Sequence, residues 1–118
     1  MEDKTLKLTI RKKWFDMIES GEKTEEYREI TQYWIVRLLT DFSPDPTRHP
    51  IRLNGGSYKA IEFDQVQLFN GCYFSERLDN FKIECKGISL GNGRHDWGAA
   101  PIAKYIVIKL GKKYSTKK

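Results

Sequence analysis

The sequence contains few cysteines and no long hydrophobic run, and both shortages exclude whole classes of protein. Cys72 and Cys85 are its two thiols, and they lack the Cys-x-x-Cys spacing of redox and metal-binding motifs. Two cysteines are too few for the disulfide framework of a small secreted domain, so the sequence predicts reduced thiols in the cytoplasm. No apolar stretch approaches the ~18–20 residues of a membrane span. Residues 1–5 do not resemble a secretory signal, and no membrane association is expected.

Histidine is as scarce as cysteine. His49 and His95 are the two histidines of the chain, and neither has the spacing to other ligands that a metal site requires. His95 stands beside Asp96, an arrangement that suggests an acid–base pair, but no further ligand accompanies them. The sequence therefore predicts neither a metal nor another cofactor.

The positive charge of the chain is concentrated at one end. The net charge is +5, from 21 basic and 16 acidic residues. Five of the basic residues are lysines within the last ten positions, and without them the chain has 16 basic and 16 acidic residues. Residues 111–118 are expected to form a basic, flexible tail, which either strengthens phosphate binding or lies solvated. Overall charge thus gives only weak support for a nucleic-acid partner.

The chain does contain enough apolar material for a folded core. Hydrophobic residues make up 39% of the sequence, so residues 1–118 are predicted to form a single globular domain. Apolar and polar residues alternate over 6–10, which is typical of a strand. Over 11–20 the apolar residues recur with helical spacing, and Gly21 follows where such a helix would end.

The remaining elements predict an α+β fold. Residues 23–29 have the pattern of a charged strand, and Thr31 is placed to cap a helix over 32–40. Residues 41–58 contain three prolines and a glycine pair and are predicted to be one long loop within the domain. Three strands follow, at 60–70 with a bulge, at 81–90 and at 102–110. About five strands with two helices near the N-terminal half indicate a small domain around a curled sheet or β-barrel.

The most informative stretch follows the first predicted helix. Its spaced residues read Gly-x-Lys-x-x-Glu-x-Arg, formed by Gly21, Lys23, Glu26 and Arg28. In an extended strand Glu26 and Arg28 point to one face, and strict alternation would send Lys23 to the other. Lys23 joins them only if it lies in the turn before the strand. The stretch is then either a charged ligand site or a solvated turn held by ion pairs.

Taken in order, these features resemble the ASCH domain family, whose members have a PUA-like β-barrel fold. The resemblance rests on the spaced motif after a strand and a helix, and it continues in four shorter matches: Lys13-Trp14-Phe15, Glu84-Cys85-Lys86-Gly87-Ile88, Trp97-Gly98 and Leu110-Gly111. It covers most of the chain apart from 41–58. The resemblance implies that the motif lines a cleft on the barrel.

The resemblance implies, first, that the cleft binds RNA or a nucleotide-like ligand. Lys23 and Arg28 are suited to hold a phosphate or a developing oxyanion, and Glu26 is suited to accept a proton or a hydrogen bond from a base edge. The expected binding residues are Gly21, Lys23, Glu26, Tyr27, Arg28 and Trp97.

The resemblance also implies an alternative, hydrolysis of modified nucleosides or of RNA, with Lys23 and Glu26 as catalytic residues. Relatives that remove acyl groups from nucleosides resemble Lys-x-x-Thr, whereas this chain has Glu26 in place of the threonine. A carboxylate cannot replace a hydroxyl nucleophile without a change of chemistry, and Thr24 is not at the matching position. Whether the protein is an enzyme stays open at this point.

Aromatic residues near the motif are candidates for stacking on a nucleobase. Tyr27 lies within the motif and Trp97 lies in a glycine-rich loop, so both are candidates. Trp14 lies on the apolar stripe of the first helix, which favours packing in the core. A third interpretation is an interaction domain in which the lysine tail and the loop 41–58 bind a protein partner.

Overall fold

The structure, a computed structural model, describes residues 4–41, 50–53, 55–101 and 103–114. Within these ranges the chain forms strands, two α-helices and one 3₁₀ turn. In chain order they are β1 Thr5–Ile10, α1 Lys12–Glu19, β2 Glu25–Arg28, α2 Gln32–Leu38, β3 Leu39–Asp41, β4 Ile51–Leu53, β5 Gly56–Ala60, β6 Gln65–Asn70, β7 Asn80–Asn92, the 3₁₀ turn His95–Trp97 and β8 Lys104–Lys113.

The core is built on a five-stranded sheet in the order β1-β6-β7-β8-β2. Strand β1 runs parallel to β6, and the other neighbours are antiparallel. Alternate residues of the strands face inward, and Val66, Leu68 and Ile108 are fully buried there. The sheet curls into half a barrel, with its edge strands β1 and β2 facing each other. The α+β class, the curled sheet and the two helices confirm the coarse prediction.

Helix α1 covers the inner face of the sheet with the apolar stripe that its sequence predicts. Phe15 and Ile18 are buried, and the Phe15 ring meets the edge of Phe81 at a centroid distance of 5.0 Å. Gly21 then takes a φ of +89°, a left-handed conformation that costs glycine little. The Lys23 N–H donates to the Met17 carbonyl at 2.9 Å. This turn directs the chain from α1 into β2.

Helix α2 begins as predicted and ends earlier. The Thr31 side chain accepts a hydrogen bond from the Trp34 N–H at 3.4 Å, which caps the first turn. The helix was expected to reach residue 40, but it ends at Leu38 because Leu39 is extended and pairs with Ala60. Pairing with another strand outweighs the helical periodicity of the sequence at this position.

A second sheet corrects the prediction of one loop over 41–58. Strands β3, β5 and β4 form a three-stranded antiparallel sheet in that order, so 51–53 and 56–60 are extended and paired. Residues 42–49 and Asn54 lie outside the described residues. The predicted strand over 60–70 is also divided, because β5 ends at Ala60 and β6 begins at Gln65. The alternation of apolar and polar residues changes phase within 60–70, at the point where the chain passes from one sheet to the other.

The basic tail begins later than predicted. Strand β8 continues through Lys113, which lies opposite Ile83 of β7, and the Lys112 N–H donates to the Glu84 carboxylate at 3.2 Å. Residues 111–113 are therefore part of the sheet, because the long strand β7 provides a partner for them. Residues 115–118 lie outside the described residues.

Among the described residues, no helix has the length and apolar character needed to cross a membrane.

Candidate functional site

The motif residues Lys23, Glu26 and Arg28 converge at the start of the gap between β1 and β2. Lys23 lies in the irregular segment between the turn at Gly21 and β2. Strand alternation therefore does not restrict its side chain, and the Nζ donates to Glu26 Oε1 at 3.0 Å. The same Nζ donates to the Trp97 carbonyl at 3.1 Å. Lys23 thus lies in the turn before the strand, which is the condition for a charged site shared with Glu26 and Arg28.

Glu26 joins the two cations of the motif. Its Oε1 accepts from Lys23, and its Oε2 accepts from the Arg28 Nη2 at 2.7 Å. The Lys23 side chain is 1% exposed, that of Glu26 10% and that of Arg28 15%. Two cations share one carboxylate, so this buried array, here called the motif triad, carries a net charge of +1. Unbalanced buried charge is costly unless further partners or a ligand compensate it.

Arg28 also connects the two edges of the curled sheet. Its Nη2 donates to the carbonyl of Thr9 on β1 at 3.0 Å, while its own backbone belongs to β2. The Nε of Arg28 is buried and has no hydrogen-bond partner among the described residues. A buried donor without a partner is uncommon in folded proteins and marks a position where an acceptor would be favourable.

Aromatic rings surround the two cations. The Lys23 Nζ lies 5.2 Å from the ring centroid of Trp14 and 5.0 Å from that of Tyr27. The Arg28 guanidinium lies 4.8 Å from the Trp34 ring. Cation–π contacts of this kind stabilise a partly desolvated cation without neutralising its charge. The aromatic rings thus help to keep the positive charge inside the site.

Two adjoining cavities open beside the motif triad. One, the Lys23 chamber, has a volume of about 240 Å³ and is lined by Lys23 together with Trp97, Gly98 and Tyr105. The other, the Arg28 chamber, has a volume of about 330 Å³ and lies between the edge strands, beside Arg11 and Trp34. The two chambers together are called the motif cleft, and the residues common to both are Trp14, Glu26, Tyr27 and Glu29.

Tyr27 fixes the loop that carries Trp97. Its hydroxyl donates to Glu25 Oε1 at 2.8 Å and accepts from the Arg94 N–H at 2.9 Å. Burial raises the pKa of Tyr27 to about 12, and the hydrogen bond to Glu25 adds to this effect. The phenol therefore keeps its proton over the whole physiological range. At the end of the loop, Gly98 has a φ of +103° and faces the Trp14 ring.

Beyond the cleft, Asp96 pairs with an arginine and not with its neighbouring histidine. Its two carboxylate oxygens accept from Arg94 Nε and Nη2 at 3.1 and 2.9 Å. These hydrogen bonds lower the pKa of Asp96. The suggested pair of His95 and Asp96 is thus replaced by a bidentate ion pair on the surface. In the described ranges, no cluster of three or more histidine, cysteine, aspartate or glutamate residues could hold a metal.

A larger cavity lies elsewhere among the described residues. It has a volume of about 690 Å³ and lies between the second sheet and β7, beside Ile51, Phe63 and Cys85. Burial raises the pKa of the Cys85 thiol, which makes it a weaker nucleophile at neutral pH. Its lining contains no buried array of charges comparable to the motif triad. The smaller motif cleft is therefore the better candidate for a functional site.

Most of the residues singled out from the sequence lie around the motif cleft, but part of its aromatic wall was not among them. Of the six residues expected there, five line the motif cleft, while Gly21 only shapes the turn that precedes it. Trp14 packs against the core as predicted, and it also lines both chambers. Trp34 and Tyr105 were missed, although a tryptophan near a capped helix start was a usable signal.

Comparison with known proteins does not show which family the chain belongs to. No family model, curated protein or solved structure matches this chain. Function has to be inferred from the chemistry of the cleft.

Proposed function

We propose that the motif cleft binds RNA or a nucleotide-like ligand. The observation that carries this proposal is the motif triad itself, two cations and one carboxylate with a net charge of +1, buried among aromatic rings. A nucleotide offers what this site lacks, because its phosphate is anionic and its base has a flat π face. An ion-pair network with only a structural role would gain little from the unpaired positive charge.

The two chambers suit the two parts of such a ligand. Arg28 lines the Arg28 chamber with its planar guanidinium, and guanidinium groups bind phosphate oxygens well. The Lys23 chamber has aromatic side chains from Tyr27, Trp97 and Tyr105, on which a base can stack. Lys23 uses two of its three N–H donors within the protein, which leaves one for the ligand.

The resemblance to the ASCH family supports the same proposal. The motif follows a strand and a helix, as in that family, and the structure adds a curled sheet with a cleft at the motif. We propose that the domain is a PUA-like module of this type. Its location in the cytoplasm is part of the same proposal, since two free thiols suit a reducing compartment.

Tryptophan fluorescence tests binding directly, because all three tryptophans of the chain line the motif cleft. Titration with single-stranded RNA should quench this fluorescence, and the affinity should fall as the salt concentration rises. Lys23→Ala with Arg28→Ala should abolish the quenching, with circular dichroism as a check of folding. Because that variant removes buried charges, Trp97→Ala serves as a second, milder variant. Absence of quenching in the wild-type protein at low salt would contradict the proposal.

A second proposal is hydrolysis of a modified nucleoside or of RNA. It is favoured by the contact between Lys23 and Glu26 within a cavity of the size of a small ligand. In that reaction Lys23 would act as base or activator and Glu26 as its partner. The test compares turnover of acylated cytidine and of RNA by the wild-type protein and by Lys23→Ala, with the exposed Lys12→Ala as control. Equal turnover by all three proteins, or none by the wild type, would exclude these roles.

A further inference from the structure

Pairs of cations and aromatic rings continue beyond the motif cleft onto the surface of α2. The Trp34 ring, which lines the Arg28 chamber, meets the edge of the Tyr33 ring at a centroid distance of 4.9 Å. The Arg37 guanidinium lies 3.5 Å from the centroid of Tyr33. Tyr33 is 55% exposed, so this stacked pair faces solvent next to the cleft.

A similar pair lies at the opposite end of the cleft. The guanidinium of Arg94 lies 4.4 Å from the ring centroid of Trp97, and Trp97 lines the Lys23 chamber. Asp96 binds Arg94 through both of its oxygens and thereby holds the guanidinium in place. The motif cleft is thus flanked on both sides by a guanidinium that lies against an aromatic ring.

These pairs follow one another in space. Arg94 with Trp97 lies at one end, and the two chambers with their shared wall come next. Arg28 with Trp34 follows, and Tyr33 with Arg37 lies at the other end. We call the three arginine–aromatic pairs the stacking track. Aromatic faces and guanidinium planes at successive positions are what proteins use to bind consecutive bases of a single strand.

We propose that a single-stranded RNA several nucleotides long binds along the stacking track, with the Tyr33–Arg37 pair of α2 as a contact outside the motif cleft. This inference rests on the proposed function and extends it from a single nucleotide to an oligonucleotide. Trp34 and Trp97 each line one of the two chambers and each contact one flanking pair, so the chain of a ligand held at Lys23 and Arg28 can continue in both directions.

The Tyr33–Arg37 pair lies outside the core of the protein. Helix α2 buries Ile35 and Leu38 against the core, whereas Tyr33 lies on its exposed side. Arg37 donates to the Tyr33 carbonyl at 2.8 Å, a contact that stiffens the arginine over the ring. A rigid, exposed plane with a positive charge needs little ordering when a base stacks on it.

The length of the ligand provides the test. RNAs from one nucleotide to about eight should be titrated, a series that starts below and extends into the range of roughly 4–16 nucleotides bound by one single-strand-binding OB fold. The wild-type affinity should rise with length. Tyr33→Ala with Arg37→Ala should leave the affinity for a mononucleotide unchanged and weaken binding of the longest RNA about tenfold. The matched control is Tyr73→Ala with Arg77→Ala, a similarly exposed tyrosine and arginine that line neither chamber.

Each outcome decides one level of the inference. If the affinity of the α2 variant rises with RNA length as that of the wild type does, the stacking track is wrong. It is also wrong if the control variant loses as much affinity for the longest RNA as the α2 variant does. Equal binding of a duplex of the same sequence would also overturn it, because paired bases cannot stack on the protein. If the wild-type protein binds RNA of no length, the proposed function itself fails. A DNA strand of the same sequence should bind by stacking too, and failure of DNA alone would show that 2′-hydroxyl contacts dominate over stacking.

Discussion

At the scale of single residues, Lys23 illustrates what a buried charge requires. A lysine that is 2% exposed loses the hydration of its ammonium group, and the protein has to replace it. Lys23 receives a carboxylate, a backbone carbonyl and two aromatic rings in exchange. Glu26 and Tyr27 are neighbours on one strand, whereas Trp14 and Trp97 come from two other parts of the chain. The position is therefore sensitive to substitution, whatever the ligand.

We expect Lys23→Met to lower the free energy of unfolding by about 3 kcal/mol, because removal of one member leaves a buried charge network incomplete. Arg28 still pairs with Glu26 in this variant, which limits the loss. The matched control is Lys12→Met, since Lys12 forms an exposed ion pair with Asp16 and such pairs contribute ~0–1 kcal/mol. Urea denaturation of both variants measures the difference. Equal losses would mean that the Lys23 interactions are no stronger than those on the surface.

At the scale of elements, the Tyr27 hydroxyl links strand β2 to the loop after β7. The Tyr27 phenol connects Glu25 on its own strand to the backbone of Arg94. The Trp97 carbonyl, which Lys23 requires, lies three residues further along the same loop. Tyr27 thus fixes the position of this loop relative to strand β2. The other contacts that anchor the loop are the hydrogen bond from Lys23 to the Trp97 carbonyl and that from the Ala100 N–H to the Tyr105 hydroxyl at 2.9 Å.

The raised pKa of Tyr27 gives this anchor a defined pH range. The folded protein favours the neutral phenol, so the stabilisation is complete below the ordinary pKa of 10.0 and is lost as the pH rises through about 12. Tyr27→Phe should remove the phenolate absorbance that appears at the highest pH in a spectroscopic titration. It should also broaden the loop resonances of Arg94 and Trp97 in NMR spectra at neutral pH. A titration curve that the substitution leaves unchanged in this range would contradict the assignment.

At the scale of the whole molecule, Arg28 holds together the two edges of the curled sheet. Strands β1 and β2 are at opposite ends of the strand order, and the Arg28 side chain spans from one to the other through its contact with Thr9. The Arg28 chamber is the space left between these edges. Arg28 therefore takes part both in closing the sheet and in forming the cleft.

Arg28→Lys should loosen this closure, because both hydrogen bonds, to Thr9 and to Glu26, come from the terminal Nη2. The lysine side chain ends one atom short of that position. Hydrogen exchange should become about tenfold faster in β2 and at the C-terminal end of β1, in keeping with the loss of one hydrogen bond to a charged group. Strand β6, in the middle of the sheet, should be unaffected. Arg52→Lys, on the exposed side of β4, is the control. Uniform exchange changes in all strands would contradict a local role at the edges.

The sequence predicted those parts of the fold that depend on near neighbours along the chain. Helical spacing over α1, the glycine that ends it and the Thr31 cap are local features, and the structure confirms all three. Predictions failed where distant segments compete for the same residues. Leu39 leaves the helix because Ala60 is available as a strand partner, and Lys113 joins the sheet because β7 extends far enough to meet it.

The same distinction applies to the site. By itself, the sequence determined that Glu26 and Arg28 lie on one face of a short strand, and it left open whether Lys23 joins them from the turn before that strand. Only the tertiary structure decided which distant groups complete the site: the Trp97 carbonyl for Lys23, the Thr9 carbonyl for Arg28 and the ring of Trp34. These contacts join segments that become neighbours only when the sheet curls and its edges meet. Whether the motif forms a solvated turn or the buried wall of a cleft follows from that curl.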